Sequence, residues 1–217
     1  GGGDRDRLVT ARRAEQLADL AAALADQPDD DHVGLALAGD LLDQPALERV
    51  RGAMAATAVA EHFRDRGANV LLVIDSLTRF AMALREVGLA LGEPPATKGY
   101  PPSVFAAMPR LLERVAPSAT GGSITAFYTV LVEGDDLSDP IADSARSLLD
   151  AHIVLSREMA GRGHFPAIDV LASASRVARR VITPQAARLA EKARETLSSR
   201  RTATELQALG AHVAGAN

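Results

Sequence analysis

Val70-Leu71-Leu72-Val73-Ile74-Asp75, followed by Ser76-Leu77-Thr78-Arg79, is the stretch on which the reading of this chain turns. An unbroken run of apolar β-formers suits a strand covered on both faces of a parallel sheet. A carboxylate at the C-terminal end of such a strand stands where open α/β sheets bind ligands. In nucleotide hydrolases a carboxylate there holds Mg²⁺ beside the phosphates. Capping the helix that begins at Leu77 is the competing use of Asp75, and Ser76 could serve as cap equally well. No G-x-x-x-x-G-K-[ST] phosphate loop occurs anywhere in the sequence.

Outward from that strand, helices and strands alternate. Toward the N-terminus, Gln44-Pro45 opens a predicted helix through about Arg66, with Gly67 just past its end. Before it, His32 to Ala38 (HVGLALA) reads as a short buried strand, and Leu17, Leu20 and Leu24 mark a helix over about Ala11 to Ala25. Toward the C-terminus, Leu77 to Leu91 is an amphipathic helix. Gly92 to Pro102 (GEPPATKGYPP) is too rich in proline for a helix or a central strand. Ser103 to Val115 is helical, with Pro109 expected to kink or split it. Gly122 to Val132 (GSITAFYTVLV) is the second strong strand, and Glu133 to Ser138 an acidic turn. Asp139-Pro140 fits an N-cap and first helical residue. His152 to Ser156 and Ile168 to Leu171 are further strands. Pro184 to Arg201 is a charged helix, followed by another over Thr202 to Leu209. This alternation predicts an α/β fold with a mostly parallel sheet and right-handed crossovers.

Composition narrows the class. The 217 residues are 47% hydrophobic with a net charge of −4, which fits a globular domain and argues against a surface built mainly for nucleic acid. Aromatic residues make up only 3%, so the core must be aliphatic. Without cysteine there are no disulfides and no thiolate metal sites. No stretch is apolar for long enough to span a bilayer. His152 and His164 lack a second ligand at metal-site spacing, and no G-x-S-x-G elbow points to a hydrolase triad. The turn Glu133-Gly134-Asp135-Asp136 reads either as a solvated connection or as acidic groups that orient water or meet another subunit. Arg176, after Ser173-Ala174-Ser175, reads either as a surface charge or as an arginine that reaches a neighbouring subunit's site. Arg179 and Arg180 read as surface or interface charges.

Three segments together carry a family resemblance: LLVIDSLTRFAMALREVGLALGEPPATKGYPPSVFAAMPRLLERV, GGSITAFYTVLVEGDDLSDPIADSARSLLDAHIVLSRE and GHFPAIDVLASASRV. They closely resemble the ATPases of flagellar export and type III secretion, which are similar to the catalytic subunits of rotary ATP synthases. The resemblance covers about Leu35 to Asn217. It implies a RecA-like P-loop NTPase core over residues 32–183, after a low-complexity, partly helical segment 1–31. Residues 184–217 would then begin an α-helical C-terminal domain. ATP and Mg²⁺ are the implied ligands, and a homohexameric ring the implied assembly. Stator-like and central-stalk-like export proteins, export substrates with their chaperones, and the membrane export gate are the implied partners, with no nucleic acid. The implied place is the cytoplasm, at the inner face of the cell membrane.

The family pattern puts the Walker B Asp, the Mg²⁺ and nucleotide carboxylate, at Asp75. It puts a supporting Arg at Arg79 and an arginine finger at Arg176. Gly92 to Pro102 matches the loop that lines the ring's central hole in the rotary relatives. Nothing here matches the family's N-terminal β-barrel, its phosphate loop or the strand before that loop. Gly3-Asp4-Arg5-Asp6-Arg7-Leu8-Val9 is the nearest match to the segment of the catalytic glutamate, with Asp4 at the glutamate's place. A fragment, inactive as an ATPase by itself, is one expectation. A non-catalytic ring subunit or paralogue that donates Arg176 is another. GHFPAIDVLAS and ATKGYPPSVFA lean toward flagellar rather than injectisome use. A transcription-termination type of ring helicase shares the I-D-S-x-T-R core, but the proline-rich loop, the acidic turn and the charge balance disfavour it.

Overall fold

The computed structural model describes residues 32–37 and 44–208, except 120 and 137. The predicted helix over about Ala11 to Ala25, and Asp4 with its neighbours, lie outside the described residues. The chain divides into two compact units, Gly1–Leu148 and Leu149–Asn217. That division falls inside the segment 32–183 expected to form one domain.

The first unit carries a three-stranded sheet in the order β1 (His32–Leu37), β2 (Asn69–Ile74), β3 (Ser123–Tyr128). Both pairings are parallel, with Leu35 opposite Leu71, and Val70 through Ile74 opposite Ile124 through Tyr128. The apolar run of β2 is buried as its sequence predicts: Val70, Leu72, Val73 and Ile74 are inside, with Leu71 half-buried. The face carrying Val73 is the more open one, since its neighbour Phe127 is 54% exposed.

Helix α1 (Ala46–Arg64) links β1 to β2 and lies against both strands. Its inward face is Ala46, Ala53, Thr57 and Ala60, small residues at helical spacing that allow a close approach. The Thr57 hydroxyl satisfies itself by donating to the Ala53 carbonyl at 2.9 Å. Gly67 follows in the left-handed region, at φ 91°, as expected for a residue just past a helix end. Helix α2 (Leu77–Ala90) packs on α1 and on α3 (Pro102–Leu112). Helix α4 (Pro140–Leu148) packs on α3 and begins as predicted, with the Asp139 carboxylate accepting from the Ile141 and Ala142 N–H groups at 2.9 and 3.2 Å. Leu72, Ile74, Leu77, Val104, Met108, Leu111 and Ile141 form the fully buried aliphatic core that the lack of aromatics requires.

Pro109 does not split its helix, since α3 runs through it to Leu112. Standing so near the end, the ring removes one donor, and the ladder resumes with Glu113 N–H to the Pro109 carbonyl at 2.8 Å.

In the second unit, β4 (Ala151–Leu155) and β5 (Ile168–Ser175) pair with each other in antiparallel fashion, with Ala151 opposite Ser175. This pair is the antiparallel exception within a fold expected to be mostly parallel. The connecting segment, Ser156 to Ala167, holds the five-residue helix α5 (Arg157–Gly161). After the short α6 (Ala178–Val181), α7 runs unbroken for 25 residues, Pro184–Ala208, where two helices were expected. Ser198, Ser199 and Thr202 are only mildly unfavourable in a helix, and no Gly or Pro separates Arg201 from Thr202. The Arg194 guanidinium ties α7 to β5, donating to the Val170, Leu171 and Ser173 carbonyls at 2.6, 3.1 and 3.2 Å. Among the described residues no helix is long and apolar enough to cross a membrane.

Candidate functional site

Asp75 follows the last residue of β2, and its side chain is half-buried. Helix α2 does not use it. Ser76 is the N-cap, its hydroxyl accepting from the Arg79 N–H at 3.2 Å. The carboxylate is therefore released from the capping role that competed for it. Its Oδ1 accepts instead from the Thr129 hydroxyl, 2.5 Å away, on the residue that follows β3.

The chain beyond β3 is laced to the start of α2. Thr129 donates its N–H to the Ile74 carbonyl at 3.1 Å and accepts at its own carbonyl from Leu77 N–H at 2.9 Å. One residue pair further, the Thr78 hydroxyl accepts from Leu131 N–H at 2.8 Å and donates to the Leu131 carbonyl at 3.2 Å. Thus residues 74–78 and 129–131 are held together by both backbone and side chains at the C-terminal ends of parallel strands. Arg79 sits in the first turn of α2, half-buried; among the described residues its guanidinium takes no hydrogen-bond or ion-pair partner. The sequence reading placed Asp75 and Arg79 but missed Thr129 and Thr78. The parallel register would have found Thr129, because the residue opposite Ile74 is Tyr128 and the next one falls beside Asp75.

Arg176 belongs to the second unit, immediately after β5. Its N–H donates to the Asp150 carbonyl at 2.8 Å, and its guanidinium stands 3.6 Å from the Asp150 carboxylate. The side chain remains 58% exposed at that strand end. His152 is used structurally, its Nε2 lying 3.2 Å from the Ala172 carbonyl.

The loop from Gly92 to Pro102 is braced by more than its prolines. Glu93 reaches across to the start of α3, accepting from the Ser103 N–H at 3.2 Å and its hydroxyl at 2.5 Å. Arg85 lies over the ring of the buried Tyr100, 5.4 Å from its centroid. At the loop's tip Lys98, at φ 48°, pairs with Asp136 of the acidic turn at 3.1 Å. The Ser138 hydroxyl and N–H donate to the other Asp136 oxygen.

These bonds, Ser138 foremost and Lys98 next, hold the Asp136 carboxyl down at about 2 against an ordinary 3.8. A carboxylate depressed in this way stabilises the fold fully above its unfolded value, and that stabilisation is lost as the pH falls toward about 2. Replacing Lys98 with Met is expected to raise the Asp136 value part of the way back, since Ser138 still donates. It is also expected to speed amide exchange at Thr97–Tyr100. Carbon-detected NMR titration of the Asp136 carboxyl reads the first effect; an unchanged value would show that Lys98 does not act on Asp136 in solution.

Among the described residues no group of three or more His, Cys, Asp or Glu converges to hold a metal. Asp75 itself contributes one carboxylate. Such a donor set suits Mg²⁺, which keeps several waters and takes one or two carboxylates together with substrate phosphates.

A carboxylate at the end of a parallel strand agrees with what the sequence matches. The pattern of the ATP synthase alpha/beta family, nucleotide-binding domain, matches residues 15–175. The chain belongs to this family. The "Flagellum-specific ATP synthase" of Bacillus subtilis is 55% identical over 175 residues, 81% of this chain and 40% of the relative. The protein of the same name from Salmonella typhimurium is 57% identical over 176 residues, again 81% of this chain and 39% of the relative. The "Type 3 secretion system ATPase" of Xanthomonas euvesicatoria is 51% identical over 175 residues, 81% of this chain and 39% of the relative. Among solved structures, the assembled ATPase EscN of the enteropathogenic E. coli type III secretion system aligns with a TM-score of 0.75 at 51% identity, covering 81% of this chain and 42% of that one. The α/β fold with its parallel sheet is the RecA-like core of this family. The chain spans about two-fifths of the length of the curated relatives it matches.

Proposed function

We propose that this ATP synthase family chain supplies part of an ATPase that hydrolyses MgATP in a ring and drives protein export through the flagellar type III apparatus. The observation that carries this reading is Asp75: a carboxylate at the end of the central parallel strand, not consumed by the helix cap, on a chain 55% identical to a flagellum-specific ATP synthase. Asp75 would hold Mg²⁺, which when bound neutralises charge on the phosphates. Arg79 would support that carboxylate from the first turn of α2. Arg176 would reach from one subunit into its neighbour's site, where its exposed position at a strand end leaves the guanidinium able to meet phosphate.

A homohexamer with a central stalk is the assembly this reading favours, and EscN has been solved both assembled and in complex with its central stalk EscO. The braced loop Gly92 to Pro102 suits contact with a rotating stalk, since a stiff loop loses little entropy on binding. Stator-like proteins, chaperoned export substrates and the membrane export gate complete the proposed partners, with the protein at the cytoplasmic face of the membrane. Alone, the 217 residues are expected to turn over no ATP, for want of the glycine-rich loop and lysine that cradle phosphates.

The test is a chimera in which residues 44–208 replace the corresponding segment of the Bacillus subtilis relative. Flagellar filament assembly in cells carrying the chimera supports the export reading. A chimera that folds and hydrolyses ATP yet assembles no filament would favour injectisome-type use instead.

A further inference from the structure

We infer that Thr129 is a positioning residue for the Asp75 carboxylate: its hydroxyl fixes Oδ1 and so leaves Oδ2 as the oxygen offered to a divalent cation. This rests on the reading of Asp75 as a Mg²⁺ carboxylate. The geometry points to it in three ways.

The hydroxyl-to-carboxylate distance is 2.5 Å, as short as charge-assisted O–H···O⁻ bonds become. The backbone of Thr129 is pinned on both sides of Asp75, to the Ile74 carbonyl and to the Leu77 N–H, so the residue that carries the hydroxyl stays beside the carboxylate. Finally, the Thr129 side chain is exposed, so the core does not dictate its identity, and a threonine methyl adds little packing there. A hydroxyl meeting one oxygen of a half-buried carboxylate orders a group that otherwise rotates about its Cβ–Cγ bond. Partners of this kind behind a metal ligand are worth roughly 10–100-fold in metal affinity.

The bland reading is a tie between β2 and the chain after β3. The main chain already makes that tie, through the two backbone bonds of Thr129 and the reciprocal pair between Thr78 and Leu131. Removing the hydroxyl alone should therefore leave the strands paired.

The experiment uses the 217-residue chain, ¹⁵N-labelled, with bare Mn²⁺ as the probe. Paramagnetic broadening of the amide signals of Asp75 and Ser76 is followed for the wild type and for Asp75→Asn, Thr129→Val and Thr129→Ser. Amide exchange at Leu77 and Thr129 is measured alongside. The wild type and Thr129→Ser are expected to broaden at the same Mn²⁺ concentration. Thr129→Val should need roughly tenfold more, with exchange at Leu77 and Thr129 unchanged, and Asp75→Asn should show background broadening only. Thr129→Val matching the wild type, both above Asp75→Asn, would overturn the role of Thr129 while leaving Asp75 as a cation ligand. Loss of amide protection in Thr129→Val would reduce the hydroxyl to a structural tie and also overturn the role. If the wild type broadens no more than Asp75→Asn, the cation reading of Asp75 fails and takes this inference with it.

Discussion

Replacing Arg176 with alanine is expected to lower ATP turnover of the chimeric ring by roughly 10³-fold or more, the effect of removing an arginine finger. Loss of the ion pair with Asp150 should cost little stability. The Arg176–Asp150 pair is long, at 3.6 Å, and both side chains are mostly exposed. Exposed pairs of this kind contribute at most about 1 kcal/mol. The backbone bond from Arg176 N–H to Asp150 survives the substitution. A fall in turnover with an unchanged melting temperature would therefore report chemistry rather than folding.

Mixing sharpens the result. Rings assembled from Asp75→Ala and Arg176→Ala chains contain some interfaces where an intact Asp75 meets a neighbour's intact Arg176, and these should regain turnover that neither variant has alone. Absence of any regain would place Arg176 in its own subunit's chemistry or outside it. Adding the unaltered 217-residue chain to an Arg176→Ala ring tests the non-catalytic subunit reading. Stimulation would favour a chain that donates Arg176, and no effect would favour a piece of an ATPase.

The largest effect on stability is expected at Gly122. A Cβ built there lies 2.0 Å from the Arg64 carbonyl oxygen and 2.9 Å from that of Ala68, so backbone would have to move to admit a methyl group. The obstacle is rigid: Ala68 O accepts from Ser123 N–H at 3.1 Å, the bond that starts β3 beside β2. Gly122→Ala is expected to cost at least about 3 kcal/mol, at the upper end for overpacking. For a chain of this size that corresponds to a melting temperature lower by roughly 6–12 °C. Gly121, next to it, makes the contrast. Its φ is 94° and a Cβ there meets nothing within 4 Å, so Gly121→Ala should cost only the left-handed penalty of about 1–2 kcal/mol. Equal melting temperatures for the two alanine variants would contradict this account of the turn.

Much of the first unit was legible because its signals are local and strong. An apolar run such as Val70–Ile74 has few alternatives to a buried strand, and Ser76 and Asp139 announce their helices by chemistry that acts within three residues. Pairing direction in the second unit was not legible by the same means. The strand patterns of β4 and β5 are the same whichever way they pair, so the antiparallel arrangement shows only in the structure. Contacts distant in sequence escaped for a related reason. Asp75 could be ranked as a ligand from its place on β2, but the hydroxyl that orders it lies 54 positions away and shows only once β2 and β3 are in register. Lys98 and Asp136 were each singled out as part of a loop and a turn, without any local sign that they meet.

The central claim is that Asp75 carries Mg²⁺-dependent chemistry in an ATP synthase family ring, and steady-state ATP turnover of the chimera with and without Asp75→Ala measures it most directly. Turnover that needs Mg²⁺ and falls at least about a hundredfold in Asp75→Ala, with assembly intact, is the expected result. Turnover within about twofold of the unaltered chimera would contradict it, because losing a carboxylate that holds the metal should cost several kcal/mol of transition-state stabilisation.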